Sequence, residues 1–469
     1  MNVAYIHYHL KPGGVTTVIR QQIEAVSGHC RTIALAGEVP SSSPIPAITV
    51  PGIAYDQSGL STASPEQTAD HIAKIILSVW PEGCDIIHVH NPTLAKNKNF
   101  LQVLKILQAK GFNLLLQIHD FAEDGRPHSY FPEAYPENCH YCVINSRDRD
   151  ILRLAGLTSQ GLHLLPNMVN PVGSTGRPCR LDNFVLYPVR AIRRKNIGEA
   201  ILLSLFFRNR ETLAITLPPN STADIESYNG WKDFAAGHGL PVLFEASTKN
   251  DFLSLVHHAD SIITTSISEG FGFSFLEPWT AGQKLWGRNL PEICIDFQGQ
   301  GVRLDGLYSR IVIPNGWISP EKLFAVYKTA MENSLQLFGC ENSNFNTADG
   351  FAEFISAQGL DFGMLNEPFQ KQIILRVLAS EADHKSLAAA NPFLSETGAP
   401  ADQAAIVHNR QTVLANYSQT AYRKSLLQMY EAVRHTKAIQ SIDKQELLCR
   451  FLTPSRFNLL KWSVYESPE

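Results

Sequence analysis

Short apolar runs alternate with amphipathic segments along the first 170 residues. The run at 3–8 has the length and the residue types of a buried strand, and 15–26 repeats apolar residues at helical spacing after two glycines. Later runs end in polar residues, as strands do where they enter loops. Strands are predicted at 3–8, 28–37, 85–92, 113–120, 141–146 and 162–167, and helices at 15–26, 99–110 and 146–156.

A Gly-, Ser- and Pro-rich stretch at 173–178 predicts a linker, and the alternation then restarts. The last strand of this second series leads directly into a glycine-aromatic segment, where a further helix is expected. Strands are predicted at 183–190, 212–218, 240–246 and 260–266, and helices at 196–207, 251–259 and 271–282.

Strands that alternate with helices predict parallel sheets covered on both faces. We therefore expect an α/β fold of two Rossmann-like, doubly wound domains that face a central cleft. The predicted domains are 1–172 and 180–435, the second with an insertion at about 318–400 that carries no assignable pattern. A mainly helical C-terminal part completes the chain, with helices expected at 404–433 and 450–462 and a tail, 440–469, that packs back on the first domain.

The composition narrows the class of protein. The chain has 469 residues, of which 44% are hydrophobic and 18% charged, which is typical of a globular protein with two domains. A net charge of −4 argues against nucleic acid as a partner. No stretch approaches the roughly 18 apolar residues of a membrane span. Met1 leads into a strand rather than a signal peptide, so we expect a cytoplasmic protein.

The cysteines give no sign of a metal site. Cys139 and Cys142 form a single CxxC, and a structural zinc site needs a second pair. We expect free thiols and no metal, and the sequence leaves any role of this pair open. Asp148 and Asp150 match the DxD pattern of a different class of enzyme, but they lie one turn into a predicted helix and are expected to be structural.

The segment SEGFGFSFLE, 268–277, sets Glu269 and Glu277 eight positions apart across a loop. Gly270 and Gly272 let a ligand approach the backbone closely, and the amides of Phe271, Gly272 and Phe273 are placed to bind phosphate or sugar oxygens. A carboxylate accepts two hydrogen bonds from a vicinal diol. A nucleotide sugar, with a ribose diol, a diphosphate and sugar hydroxyls, has the matching layout.

A basic segment precedes this loop in the chain. YPVRAIRRKN supplies Arg190, Arg193, Arg194 and Lys195 where a strand meets a helix. Arginine presents a planar fork to phosphate, and lysine a point charge. The pattern indicates a phosphate site, although a solvated basic turn would look the same.

Eight segments, in this order along the chain, resemble the motifs of retaining glycosyltransferases of the GT-B type. They are PGGVTTVI, DIIHVHN, LLLQIHD, CVINSRDRDIL, LLPNMVNP, VRAIRRKNI, SEGFGFSFLE and HNRQTVLANYSQTAYRKSLLQMY. The resemblance is to the large family 4 group, which includes sucrose-phosphate synthases and phosphatidylinositol mannosyltransferases. It covers most of 1–290 and returns at 404–433.

The resemblance implies a role for each matching residue. Arg190 and Lys195 would bind the donor diphosphate and stabilise it as it leaves, and Glu277 would accept both ribose hydroxyls. Glu269 would lie near the donor sugar, whose hydroxyls the amides of Phe271 to Phe273 would hold. Gly13 and Gly14 would let the first domain's backbone reach the phosphates, and His119 would stand beside the reacting sugar. The implied reaction is a front-face transfer with retention that needs no metal or other cofactor.

Other functions stay open at this point. An epimerase of nucleotide sugars or a retaining glycoside phosphorylase would use a related fold, and a non-catalytic subunit could bind the nucleotide sugar alone. The acceptor is an unidentified sugar, glycan or small polar molecule. The stretch 318–400 is expected to shape the acceptor side or to form a contact between copies in a homo-oligomer.

Two further expectations concern the first domain. The basic helix 99–110 has the pattern of a helix on a membrane surface, but packing against the sheet explains it as well, and we expect packing. We also expect His88 and His90 to point to opposite faces of their strand, which would exclude a shared metal site.

Overall fold

The computed structural model describes residues 1–174, 177–340, 347–355, 359–396, 402–454 and 458–463. Within it the chain forms two compact units. Unit 1 comprises Met1–Met168 and Tyr417–Leu452, and unit 2 comprises Val169–Asn416 and Thr453–Glu469. The chain thus leaves unit 2 after Asn416 and returns to it at Thr453.

Unit 1 contains a sheet of seven parallel strands in the order β3-β2-β1-β4-β5-β6-β7. The strands at its centre are buried almost throughout their length, since helices cover both faces, as continuous apolar runs predict. They are β1 Asn2–His9, β2 Arg31–Glu38, β3 Ile48–Thr49, β4 Ile86–His90, β5 Leu114–Ile118, β6 His140–Val143 and β7 Leu162–Leu164.

Six helices belong to unit 1. Four precede the sheet's last strand, and two come from the C-terminal part of the chain, where they pack on the same core. Tyr422, Leu426 and Val433 of the first C-terminal helix are buried against strand residues such as Tyr5. The helices are α1 Gly14–Val26, α2 Pro65–Val79, α3 Phe100–Ala109, α4 Ser146–Leu154, α15 Gln419–His435 and α16 Lys444–Phe451.

Unit 2 contains six parallel strands in the order β10-β9-β8-β11-β12-β13. In both units the first strand of the sheet lies next to the fourth, which is the strand order of the Rossmann fold. The predicted fold class, two Rossmann-like domains, is therefore confirmed. The strands are β8 Phe184–Arg190, β9 Thr212–Leu217, β10 Val242–Leu243, β11 Ser261–Thr264, β12 Leu285–Arg288 and β13 Leu307–Tyr308.

The helices of unit 2 include all the described helices of 318–400. They are α5 Ile197–Ser204, α6 Thr222–Gly237, α7 Phe252–His258, α8 Glu277–Thr280, α9 Pro291–Gly299, α10 Pro320–Leu337, α11 Thr347–Ile355, α12 Glu367–Ala379, α13 Glu381–Ala390, α14 Gln403–Asn416 and α17 Leu459–Trp462.

Several predicted elements differ from the structure. The single helix expected at 404–433 is two, α14 and α15, because Ser418 caps a new helix by accepting a hydrogen bond from the backbone of Ala421. That break is also where the chain passes from unit 2 to unit 1, whereas the predicted second domain ran to 435. The helix expected at 450–462 is also wrong, since α16 ends at Phe451 and α17 begins at Leu459.

Other differences are omissions. The hydrophobic pattern did not predict α2, although Ser64 and Gln67 form a capping box at its start. Nor did it predict α6, whose buried residues are mixed with glycine and polar residues. Parts of the predicted linker, insertion and tail, namely 175–176, 341–346, 356–358, 397–401, 455–457 and 464–469, lie outside the described residues.

A buried ion network joins the sheet of unit 2 to 318–400. Arg288, at the end of β12, donates to both carboxylate oxygens of Glu199 at 2.7 and 2.8 Å and to both of Asp361 at 2.8 Å. Tyr308 donates to Glu199 at 2.6 Å. Glu199 is fully buried, so its charge depends on Arg288 for compensation.

We expect Arg288→Leu to lower the free energy of unfolding of unit 2 by about 3–5 kcal/mol, because it leaves two carboxylates buried without a cation. Five of the six tryptophans lie in unit 2, so urea unfolding followed by tryptophan fluorescence reports on it. The matched control is Arg303→Leu at an exposed position, which should change the value by less than about 0.5 kcal/mol. Equal unfolding curves for the two variants would contradict the role given to this network.

Candidate functional site

The strand order of unit 2 places a ligand site at the ends of β8 and β11. In open sheets of this order, ligands bind at the carboxyl ends of the strands where the order reverses, which here is between these two strands. The loop after β8 carries the basic segment 190–195, and the loop after β11 carries 268–277. The two motifs predicted from the sequence therefore meet at the place the topology favours.

Hydrogen bonds tie these two loops together. Thr265 donates through its hydroxyl to the carbonyls of Lys195, at 3.0 Å, and Asn196, at 3.2 Å. Tyr187 also donates to the carbonyl of Lys195, at 2.6 Å, and the backbone N–H of Ile267 donates to Arg194 at 3.0 Å. The position of Lys195 is thus set by the loop that carries Glu269.

Lys195 and Glu269 form a close ion pair at the centre of this arrangement. Arg194 lies 4.0 Å from the second carboxylate oxygen, and Ser266 hydrogen-bonds to the same side chain. Glu269 is only 7% exposed. Burial acts to raise the pKa of Glu269, but the charges of Lys195 and Arg194 outweigh it and hold the pKa below its ordinary value. Lys195 and Arg194 thus both lie against the carboxylate of Glu269.

The four basic residues of the segment have different surroundings. Arg190 is exposed, and its guanidinium donates to the carbonyl of Pro218 at 3.0 Å. Arg193 turns away from Glu269 and pairs with Glu367 at 2.8 Å, so it is a structural cation. Arg194 and Lys195 are the two that meet the loop after β11.

The glycine-aromatic loop presents backbone N–H groups. Gly272 has φ of +93°, and a Cβ there would lie 2.8 Å from the ring of Phe275, so glycine is required. Within the described part of the chain, no carbonyl or side chain accepts from the amides of Gly272, Phe273 or Ser274. The buried hydroxyl of Ser274 also lacks a partner there. Phe271, the first residue of the predicted set, makes further contacts and is therefore not counted among these donors.

Glu277 is the first residue of the short helix α8, which begins six residues later than the helix predicted from 271. Among the described residues its carboxylate has no hydrogen-bond or ion-pair partner. Burial raises the pKa of Glu277 to about 7. A mostly buried carboxylate without a partner is a group that a ligand's hydroxyls would satisfy.

In unit 1, His119 lies just past β5 and is buried. Its backbone N–H donates to Asn91 at 2.7 Å, and its ring Nε2 lies 2.9 Å from Nδ1 of His90. Burial lowers the pKa of His119 to about 4, so the ring is neutral at pH 7. The other ring nitrogen of His90 is buried without a partner in the described structure. An unpaired acceptor is tolerated better than an unpaired N–H, so His90 donates to His119, which then carries its proton on Nδ1.

The expectation for His88 and His90 was wrong. Residues two apart on a strand share a face, and the two rings stack with centroids 4.6 Å apart. His88 lies 2.9 Å from the hydroxyl of Tyr430 on α15, and that hydroxyl lies 2.7 Å from Tyr5. This polar network fixes α15 against the sheet of unit 1.

Gly13 and Gly14 lie at the start of α1. An added Cβ at Gly14 would meet nothing within 4 Å, and one at Gly13 would meet only a carbonyl at 3.9 Å. The fold of unit 1 therefore does not require glycine at these two positions. Open space at a helix N-terminus is compatible with the predicted close approach of a ligand, which stays a prediction.

Among the described residues, no group of three His, Cys, Asp or Glu side chains is arranged to hold a metal ion. Cys139 and Cys142 are buried free thiols. The described helices include none that is long and apolar enough to cross a membrane. Helix α3, the basic helix of the sequence analysis, buries five apolar residues against the unit 1 core.

Sequence reasoning brought the two loops to one site but missed the groups that support them. Tyr187 and Thr265 show no motif, because their role depends on which strands are neighbours. Ser274 stood inside the quoted segment, and its unpartnered hydroxyl becomes evident only from its burial. Arg193 and Lys195 look equivalent in the sequence, and the structure separates them by their acidic partners.

The chain is similar to several known proteins, although no protein-family model matches it. It is 26% identical over 430 residues to mannosylglucosyl-3-phosphoglycerate synthase of Petrotoga mobilis, covering 82% of this chain and 83% of the relative. A solved glycosyltransferase from Rickettsia africae is 13% identical with a TM-score of 0.51, covering 93% of this chain and 99% of that one. HepE of Anabaena, solved in complex with UDP and glucose, is 15% identical with a TM-score of 0.46, covering 81% and 100%.

These comparisons bear on the resemblance that the motifs indicated. The Rickettsia structure supports the fold, and the Petrotoga relative extends the similarity to sequence over most of both chains. The chain is thus similar to glycosyltransferases of the GT-B type, and the predicted class of enzyme, a glycosyltransferase, is confirmed.

Proposed function

We propose that the protein is a retaining glycosyltransferase that moves a sugar from a nucleotide sugar to a hydroxyl of its acceptor without a metal ion. The observation that carries the proposal is the set of unsatisfied groups on one loop of unit 2. Among the described residues, the amides of Gly272, Phe273 and Ser274 and the carboxylate of Glu277 have no partner, and these groups lie within six residues, next to the basic turn.

The basic turn would bind the diphosphate. Lys195 and Arg194 lie at the carboxylate of Glu269, and the exposed Arg190 donates to the carbonyl of Pro218, so the turn presents cations close together. As the bond to the sugar breaks, negative charge grows on the diphosphate. Cations already held in place stabilise that charge with little rearrangement, which lowers the barrier. No protein nucleophile is needed for such a step.

Glu277 would bind the ribose diol, and the amides of Gly272 to Ser274 would bind the donor's sugar or phosphate oxygens. The ionised carboxylate accepts from both hydroxyls of a vicinal diol, and that contact replaces the water lost by burial. Glu269, held ionised by Lys195, would stand near the donor sugar. His119 would contribute a neutral ring whose Nδ1–H can donate to a sugar hydroxyl.

The name of the Petrotoga relative guides the choice of substrates. It describes a synthase whose product contains mannosyl, glucosyl and phosphoglycerate groups. We therefore propose a mannosyl donor and a sugar acceptor that carries an anionic phosphoglycerate group as the first pair to test. The donor's base is uracil, guanine or adenine, and the screen described next distinguishes the three.

The experiment is a thermal-shift screen against UDP, GDP, ADP and their common sugar conjugates. A ligand at 100 times its dissociation constant should stabilise the protein by about 2.7 kcal/mol, so one base should stand out. Turnover is then measured with the acceptor. Consumption of the nucleotide sugar without an acceptor would instead indicate an epimerase, and a requirement for inorganic phosphate a phosphorylase. If the protein binds a nucleotide sugar but no mixture gives turnover, the result would indicate a non-catalytic binding subunit.

Glu277→Ala and Glu269→Ala should affect different kinetic constants. Loss of Glu277 removes a contact made equally in the bound donor and the transition state, so the donor KM should rise about tenfold or more. Loss of Glu269 removes a group near the reacting sugar, so kcat should fall by about 100-fold with a smaller change in KM. Steady-state kinetics checks both, and wild-type constants for the two variants would contradict the site.

The donor affinity should also depend on pH through Glu277. Its pKa is raised to about 7, so the protonated form dominates below that pH and the accepting carboxylate above it. Affinity for the nucleotide should therefore rise between pH 6 and pH 8, by up to about tenfold. Glu277→Gln, which cannot ionise, should bind more weakly and lose this rise. Titration calorimetry at both pH values measures the dissociation constant of the nucleotide for each protein. An equal rise in affinity in Glu277→Gln would contradict the role given to Glu277.

A further inference from the structure

The C-terminal segment 458–463 belongs to unit 2, although the preceding helices α15 and α16 belong to unit 1. Its short helix α17 is buried, and Lys461 is only 3% exposed. A lysine is seldom buried so deeply without a specific arrangement of acceptors. The segment therefore has a defined place in unit 2, and its contacts show what it supports.

One set of contacts reaches the basic turn. Arg193 donates to the carbonyl of Ser463, and through its other nitrogens it pairs with Glu367 at 2.8 Å. Lys461 lies 3.9 Å from the same carboxylate. The two cations hold the pKa of Glu367 down at about 2, although burial acts to raise it. The residue two positions before Lys195 is thus fixed by the C-terminal segment.

A second contact reaches the loop after β11. The side-chain amide of Asn458 donates to the carbonyl of Ile267 at 2.9 Å. The backbone N–H of Ile267 donates in turn to Arg194 at 3.0 Å. Ile267 lies two residues before Glu269, so the segment contacts both loops whose tips form the Lys195–Glu269 pair.

A third contact passes through α12. Lys461 donates to Gln370 at 2.8 Å, and Gln370 donates to Asn196 at 2.9 Å. Asn196 directly follows Lys195 and has φ of +53°, an unusual conformation that needs support from its surroundings. The three contacts converge on 193–196 and on Ile267, which places the segment directly behind the basic turn.

We propose that the segment 458–463, through Asn458 and Lys461, positions the basic turn and the Glu269 loop for binding the diphosphate of a nucleotide. The inference rests on the proposed function, since it deepens the account of the same site. Asn458 and Lys461 are positioning residues, because their side chains contact the loop after β11 and α12. Their effect on a ligand must pass through Lys195 and its neighbours.

The test is titration calorimetry of the full chain with whichever of UDP, GDP and ADP the wild type binds. Asn458→Leu removes one neutral hydrogen bond at similar volume, and Lys461→Met removes the buried charge. Each should raise the dissociation constant about 5- to 20-fold while the variant stays folded by circular dichroism. The control is Lys437→Met, at an exposed position of the same C-terminal part, which should stay within about twofold of the wild type.

A double-mutant cycle separates positioning from general stability. If Lys461 acts through the basic turn, Lys461→Met should change the dissociation constant by less than about twofold once Lys195→Met is present. An undiminished effect in that background would overturn the proposal, as would wild-type affinity in a folded Asn458→Leu. Should Lys461→Met fail to fold, the same cycle is run with Asn458→Leu. A wild-type protein that binds none of the three nucleotides would overturn the proposed function and this inference with it.

Discussion

The buried carboxylates of unit 2 set the constraint on which its candidate site depends. Removing a carboxylate from water is costly unless cations compensate its charge, and three of the buried carboxylates of unit 2 have cationic partners of their own. Glu269 pairs with Lys195 and lies near Arg194. Glu367 pairs with Arg193 and lies near Lys461, and Glu199 pairs with Arg288. Since these partners come from distant parts of the chain, forming the basic turn requires most of unit 2 to be folded. The turn is therefore preorganised before any ligand arrives.

This constraint gives part of the stretch 318–400 a role besides the one expected, which stays a prediction. The sequence suggested an insertion that shapes the acceptor side or joins two copies. Its described residues lie in unit 2, where Asp361 pairs with Arg288, and Glu367 and Gln370 lie behind the basic turn. These residues supply the acids and amides that fix the turn. The function of the remainder of the stretch stays a prediction.

Local patterns were enough to predict most strands of both Rossmann-like sheets and to mark the two loops of the candidate site, but not the short strands β3, β12 and β13. Strand and helix periods are local properties, and so are glycine-rich turns. The pairing of Arg193 with Glu367 was not predictable, because the two are 174 positions apart and nothing in the sequence marks them as partners. The break between α14 and α15 was missed for a different reason, since residues that become buried recur at helical spacing on both sides of Ser418. His88 and His90 share a face because side chains two positions apart on a strand point the same way.

The most direct test of the central claim is amide hydrogen exchange with and without the nucleoside diphosphate that binds best. The account predicts that the free amides of Gly272, Phe273 and Ser274 exchange more slowly when the ligand is bound, together with the basic turn around Lys195. Binding that leaves exchange at these amides unchanged, and slows it elsewhere in the chain, would contradict the claim that this loop of unit 2 is the donor site.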